Sequence, residues 1–373
     1  MPSRSTVEQS EIPRCAALNQ SISLQSYLIR FHMIRNDATW CISTLINLAL
    51  FSISAISIIV VCIMLFYVYP VDRNSGPIQL KISRGLSSKA IAHQLARENL
   101  IRSPLVFQLA THLSGVSRSL KAGTYRLSRA MSLPEIINQL KTGKVVTHRF
   151  VVPEGLTAMQ IGELWGRSAF GTATAFHQVA SDPKWRVEYG ISVETLEGYL
   201  FPNTYQFADG TPPGKVIEMM LDEFDRHWTY ELSEEAESLG LTVHEVITLA
   251  SIIEREAKAA DERSAISAVF HNRLRRGWRL EADPTAVYAL GNPKRPPTPA
   301  DLKVDSPYNT YLHRGLPPGP ICNPGGDSIL AALRPASTTH LYFVAIGNGK
   351  HHFSTTLREH QNMIRKINRT VGQ

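Results

Sequence analysis

Thr242 to Ala257 reads TVHEVITLASIIEREA, and its residue spacing predicts one helix. Thr242 followed three residues later by Glu245 forms a capping box, so the helix starts at Thr242. At about 100° per residue, Val243, Val246, Ile247, Ala250, Ile253 and Ala257 share one side. Glu254 falls inside that apolar stripe, whereas Glu256 is turned away by roughly 200°. A carboxylate aimed into an apolar surface resists ionising, which suits a general acid. The alternative is a rim glutamate that bends out to water or pairs with an arginine. Periodicity alone does not choose between the two.

Outward from this helix, the chain has room for two domains of ordinary size in its 373 residues. A hydrophobic share of 43% with 19% charged residues suits a globular protein carrying one membrane segment. No charged residue occurs between Asp37 and Asp72. Within that gap, Leu45 to Val68 is almost wholly apolar, with Trp40 before it and Tyr67 and Tyr69 at its end. At about 1.5 Å per residue this stretch exceeds the roughly 30 Å hydrocarbon core of a bilayer. A cleaved signal peptide would need an alanine-type cleavage site, and VYPVDRNS offers none. An uncleaved anchor is expected over residues 39–70, with residues 1–38 as a cytoplasmic tail of little pattern. Met33 is a second possible start. N-terminal sequencing of the native protein separates the two, a full-length product ruling Met33 out.

Arg30 and Arg35 before the span nearly balance Arg73 and Lys81 after it, so charge fixes orientation poorly. The expected topology puts the tail inside and the large C-terminal part outside. Cys15, Cys41, Cys62 and Cys322 form no disulfide framework, so the exported part must be held by its own core. The net charge of +7 is spread along the chain rather than gathered in one run. It fits a membrane surface or an acidic polymer, and no nucleic-acid signature accompanies it.

After the connector from Asp72 to Pro77, a pattern recurs. ISRGLSSKAIAHQL from Ile82 and VVPEGLTAMQIGEL from Val151 each read as strand, glycine turn, cap and helix. GTYRLSRAMSLPEIINQL from Gly123 keeps the strand, cap and helix without the glycine turn. These units predict a small α+β module over residues 75–149, whose layout resembles the peptidoglycan-binding module LysM. From residue 150 to 373 a larger α+β domain is expected. Helices dominate it to Gly277, with Val216 to Leu232 among the clearest. A proline-rich irregular stretch runs from Asn292 to Pro324, and a hairpin turns at Gly347-Asn348-Gly349-Lys350.

Four stretches are alike in their chemistry. They are LEGYLFPNTY (Leu196–Tyr205), ASIIEREA (Ala250–Ala257), EADPTAVY (Glu281–Tyr288) and SPYNTYLHRGLPPGPICNPG (Ser306–Gly325). Each mixes carboxylates, amides or tyrosines, and stiffening prolines and glycines recur among them. Sugars are recognised by such groups, because aromatic faces cover ring C–H groups while amides and acids bind hydroxyls.

Together these stretches resemble the YceG-like family of endolytic murein transglycosylases. The matching motifs are EGYLFPNTY, ASIIERE, DPT with a following tyrosine, SPYNTY, GLPPGPI before NPG, and the closing His351–His360 segment HHFSTTLREH. Their order and spacing agree over roughly residues 151–360. Asn203 stands where the family usually has aspartate, which argues against an obligatory acid there. Cys322 stands where alanine or serine is commoner, which suggests packing. The resemblance implies cleavage of the β-1,4 bond between N-acetylmuramic acid and N-acetylglucosamine in nascent glycan strands. The muramic acid 6-hydroxyl closes on C1 to give a 1,6-anhydro end, so strand length is limited. Such a reaction needs one carboxylate rather than the two of an ordinary glycosidase. By match to ASIIERE that residue is Glu254.

Further candidates for the substrate cleft are Arg273, Asp283, Asn309, Tyr311 and Glu197. Each has a structural alternative: Arg273 as the partner of an acid such as Glu262, the others as loop-stabilising hydrogen-bond groups. His351 and His352 are adjacent strand residues facing opposite sides, a poor pair of metal ligands, so neither a metal nor a cofactor is expected. The resemblance implies an inner-membrane enzyme with its catalytic domain in the periplasm, acting on glycan strands beside peptidoglycan synthases. Two other classes compete. One is a tethered, non-catalytic peptidoglycan-binding adaptor. The other is a muramidase-type hydrolase with Asp283 or Glu197 as second carboxylate.

Overall fold

The structure, a computed structural model, describes residues 43–168, 170–291, 295 and 297–371. The expected N-terminal tail and the Met33 start lie outside the described residues. The chain divides into two compact units, residues 1–144 and 145–373.

In the first unit, helix α1 (Ser43–Val68) is long and apolar enough to cross a membrane, and none of its most apolar stretch is buried in protein. Beyond it come β1 (Pro77–Ile82), α2 (Ser88–Arg97), α3 (Pro104–Leu113), β2 (Gly123–Ser128) and α4 (Leu133–Thr142). β1 and β2 pair antiparallel, Pro77 opposite Ser128 and Ile82 opposite Gly123. Ile91, Leu95, Phe107, Tyr125, Leu127, Ile136 and Leu140 bury between helices and strands. The repeated cap chemistry forms as its sequence requires. Ser87 accepts from Ala90 N–H, and Ser132 and Glu135 make a capping box.

The second unit runs β3 (Thr147–Val151), α5 (Ala158–Arg167), α6 (Ala173–Ala180), α7 (Lys184–Glu188), β4 (Thr204–Ala208), α8 (Pro213–His227), α9 (Tyr230–Ser238) and α10 (Val243–Glu256). It continues with α11 (Arg263–Arg275), α12 (Asp283–Ala289), α13 (Gly326–Leu333), β5 (Tyr342–Gly347), β6 (Lys350–Ser354) and α14 (Leu357–Val371). β3 pairs antiparallel with β4, and β5 with β6. The second hairpin turns where NG predicts, with Asn348 and Gly349 both at positive φ. The architecture is mixed helix and sheet, as the patterning predicts.

Two expectations change. The single helix foreseen over Val216 to Leu232 breaks at Trp228, whose ψ of 89° leaves the helical region. Its indole stacks on Phe224 and donates to Ser233 Oγ at 2.9 Å, so the chain restarts as α9. Helix α10 is also more enclosed than one apolar stripe implies, since every residue from Val246 to Ile253 is buried. α9, α11, α12 and α13 all pack on it, which makes it the axis of this unit.

The charge forms no single run, yet it divides unevenly between the two units. Residues 71–144 carry twelve lysines and arginines against three acids, whereas residues 145–373 carry 23 against 26.

Candidate active site

Three turns of chain meet at the C-terminal end of α10. The first is the glycine turn Glu154–Gly155–Leu156 leading into α5, and the second is α10 itself. The third is the Asn323–Gly325 loop, which opens α13. Backbone bonds hold them in register: Gly155 N–H donates to Asn323 O, and Asn323 N–H to Leu156 O, both at 2.9 Å. The Arg255 guanidinium adds a bond to Gly155 O at 3.3 Å.

Glu254 lies at their centre, its side chain only 9% exposed. Its Oε2 accepts the Ser328 hydroxyl at 2.7 Å and the Gly325 N–H at 3.2 Å. Both donors come from the start of α13, where free N–H groups favour negative charge. Oε1 faces the Arg263 guanidinium at 4.0 Å. Arg263 also reaches Glu154 at 3.8 Å and Asp327 at 3.6 Å, and donates from Nε to Ser328 Oγ at 3.2 Å. One cation thus serves three carboxylates. Glu154 is half exposed and Asp327 largely exposed, so the cluster opens from a buried acid towards solvent. Burial, and then the neighbouring Glu254 charge, raise the Glu154 carboxyl pKa; Arg263 opposes the shift. The approach is close enough that a Cβ on Gly325 would fall on the Glu154 carboxylate and force that side chain aside.

Glu197 is buried, 6% exposed, and bonds to protein groups. It accepts Ala158 N–H and Asn323 Nδ2, both at 3.0 Å. Asn323 in turn accepts Gly198 N–H and Leu200 N–H at 2.9 Å each. Glu197 therefore braces the loop that carries the Glu254 donors. Burial pushes its pKa up to about 8, opposed by hydrogen bonds from Ala158 N–H and the Tyr288 side chain. Its folded value exceeds the unfolded one, so the folded state holds an extra proton between about pH 4.5 and 8. The stability this group contributes is complete below that window and lost as pH rises through it. Glu197→Gln is expected to flatten the decline by a few kcal/mol, read as urea midpoints between pH 5 and 8. An unchanged slope would show that Glu197 does not titrate there.

The other sequence candidates form a second group. Tyr311 donates its hydroxyl to Asp283 Oδ1 at 2.6 Å, and its N–H to Asn309 Oδ1 at 3.0 Å. Fully buried Asn309 donates to Leu302 O and Val304 O, clasping the irregular loop. Glu256 belongs to this group, its pKa pushed up to about 8 by burial and by Asp283. Arg273 is buried, bonded to Leu341 O at 2.7 Å and Leu280 O at 2.8 Å, and paired with Glu281 at 3.1 Å. Its expected partner, Glu262, instead binds His351 Nδ1 at 2.8 Å. Asn203 bonds Glu223 Oε1, and fully buried Cys322 donates to Ser251 O. No cluster of three or more metal-ligating side chains occurs among the described residues.

The sequence candidates thus bring Asp283, Tyr311, Asn309 and Glu256 together, and link Glu197 to the Glu254 loop through Asn323. Sequence reasoning missed Glu154, Arg263, Ser328 and Asp327. A signal for Glu154 was present in PEG, where an acid precedes a turn glycine that must lie against another backbone. Arg263, at the start of its helix, carries no such mark.

Comparison with known proteins gives the chain's family. The model of the YceG-like family matches residues 80–366. An endolytic murein transglycosylase of Bacillus subtilis is 35% identical over 309 residues, covering 78% of this chain and 85% of the relative. One from Streptococcus pneumoniae R6 is 30% identical over 333 residues, 80% of this chain; the match spans only 60% of that longer protein. A solved YceG-like protein of Listeria monocytogenes superposes with a TM-score of 0.54 at 35% identity, covering 78% of this chain and all of the other. The chain belongs to the YceG-like family.

Proposed function

We propose that this chain is an endolytic murein transglycosylase, cleaving the MurNAc-β-1,4-GlcNAc bond of nascent glycan with Glu254 as its acid and base. The observation that carries this is the Glu254 carboxyl: enclosed, with one oxygen held by Ser328 and Gly325 and the other turned towards Arg263. The names of the Bacillus and Streptococcus relatives support the substrate.

The steps follow from one carboxyl and a substrate hydroxyl. Protonated Glu254 gives its proton to the glycosidic oxygen as the C1–O bond breaks. The muramic acid 6-hydroxyl then attacks C1, and the Glu254 carboxylate takes its proton. Glu254 is thereby reset, and no water is consumed. Ser328 and Gly325 hold the carboxyl in place, so little reorganisation is needed at the moment of transfer. Arg263 steadies its ionised form between the two transfers.

Glu154 favours a second reading. It and the largely exposed Asp327 are gathered with Glu254 around Arg263, and Glu154 is the less exposed of the two. The hydrogen bonds of Asp283 and Glu197 lie with other groups. A muramidase-type hydrolase would use Glu154 to activate water. Mass spectrometry of muropeptides released by residues 75–373 separates the two. Transglycosylation predicts ends one water lighter than hydrolysis products. Full-weight reducing ends would make Glu154 the second catalytic carboxylate.

The small unit is taken to be a LysM-like glycan-binding module, from its paired strands and packed helices. Murein lies outside the cytoplasmic membrane. The proposed substrate supports a large unit in the periplasm, with α1 as a single inner-membrane anchor and peptidoglycan synthases as neighbours. Charge does not set this orientation, since large domains translocate largely regardless of it.

A further inference from the structure

The membrane anchor and the small unit meet at a definite joint. Just past α1, Pro70 O accepts the Arg102 guanidinium at 2.8 Å, and Val71 O accepts it at 3.3 Å. Asp72 N–H donates to Arg129 O at 3.0 Å. Phe66, Tyr69 and Pro70 line a crevice together with Ile101, Ser103 and Leu133. Ser103 is the N-cap of α3, so α3 begins where the chain leaves the span.

α3 is apolar on two faces. Val106, Phe107 and Thr111 enter the core of the unit. Leu105, Leu109 and Leu113 recur every fourth residue on another face and are 74%, 42% and 76% exposed. A ten-residue helix is only about 15 Å long, so the whole stripe stays within about that distance of the span's end. Three aligned leucines on a short surface helix need cover. The apolar medium within reach of the span's end is the bilayer.

The charge agrees. Of the twelve basic residues between 71 and 144, all but Arg129 are exposed, and only Asp72, Glu98 and Glu135 oppose them. α3 itself carries no lysine or arginine, so headgroup attraction would come from the rest of the unit and add to apolar insertion by α3.

We propose that α3 lies in the headgroup layer of the membrane crossed by α1, with Leu105, Leu109 and Leu113 inserted among the lipids and the basic surface of the small unit held on anionic phospholipid. The occupant is the bilayer itself, and the inference does not depend on which bond the large unit cleaves. Docking fixes the small unit flat at the membrane instead of leaving it free to pivot on its connector.

The test is hydrogen exchange of the full chain in nanodiscs of phosphatidylglycerol, compared with discs of phosphatidylcholine. Amides of residues 105–113 should exchange about tenfold more slowly in the anionic discs. The triple variant Leu105→Ser, Leu109→Ser, Leu113→Ser should abolish that difference. Exchange in α2 and α4 should stay unchanged, showing that the unit remains folded. Equal exchange in both lipids overturns the proposal. So does protection that appears only when soluble glycan strands are added, which would make the stripe a glycan-binding face. If the variant unfolds α2 and α4, single Leu105→Ser and Leu113→Ser chains carry the comparison, because both side chains are the most exposed.

Discussion

Glu254→Gln is expected to lower the rate of strand cleavage by about three orders of magnitude, with the fold unchanged. The amide cannot donate a proton to the leaving oxygen or take one from the attacking hydroxyl. It does keep the shape of the carboxyl, and its oxygen still accepts the Ser328 and Gly325 hydrogens. Anhydro-muropeptide release per enzyme is the measurement, with far-UV circular dichroism as the control for folding. Glu256→Gln is the comparison that gives the number meaning. Glu256 is two residues away, and its neighbours are Asp283 and Tyr311 rather than the α13 donors. Its loss should cost less than about tenfold, the scale of a remote electrostatic change rather than of a missing acid. If the two variants are equally dead, or Glu256→Gln alone is dead, Glu254 is not the acid and the second cluster takes its place.

Asn323→Ala should remove roughly 3–5 kcal/mol of stability from the large unit. The side chain is fully buried and accepts from Gly198 and Leu200 N–H while donating to Leu156 O and Glu197. Alanine would strand both amide hydrogens in an interior that water does not reach, at roughly 1–3 kcal/mol apiece. It would also leave a small cavity. Urea denaturation of residues 75–373 measures the loss. A change below about 1 kcal/mol would mean that water or a backbone shift replaces the asparagine, and that the brace is dispensable. Activity should fall with stability, because the loop that begins at Asn323 carries Gly325 to Glu254.

What was legible in the sequence is what is local. Thr242 and Glu245 announce the start of α10, asparagine and glycine at 348 and 349 announce the last hairpin, and an uncharged run announces α1. Each depends on residues a few positions apart, where cap and turn chemistry act. The break at Trp228 was hidden because its cause is a ring stacked one turn back and an indole hydrogen bond five residues on, not a proline or glycine. The burial of every α10 residue from Val246 to Ile253 was hidden because periodicity reports the average polarity of a face, and Thr248 and Ser251 lower it while satisfying their hydroxyls within the helix.

The site divides in the same way. Glu254 could be singled out, because an acid inside an apolar pattern is a local contradiction. Its surroundings could not, since Glu154 lies 100 residues before it and Ser328 lies 74 after it. Arg273 and Asn309 were visible as polar groups in apolar or rigid settings. The structure gives each of them backbone carbonyls as partners, and sequence patterns carry no record of which carbonyl is near. Charge shows a related limit: a net value alone does not say that residues 71–144 hold more than the whole excess while the larger unit is slightly acidic. That division shows once the unit boundary is known.

The order in which the parts are made bears on when the enzyme becomes dangerous to its own wall. α1 is synthesised first, the small unit next, and the hydrogen-bond donors of Glu254 not until residues 325–328. About 260 residues separate the end of the span from Ser328, on the order of 15–50 s of elongation at ordinary rates. Until that last stretch has emerged and docked, the acid has neither its serine nor its glycine partner. A chain that folds in the order of its synthesis therefore carries its span before the Glu254 carboxyl gains its donors, so on the proposed mechanism cutting power never exists apart from the tether.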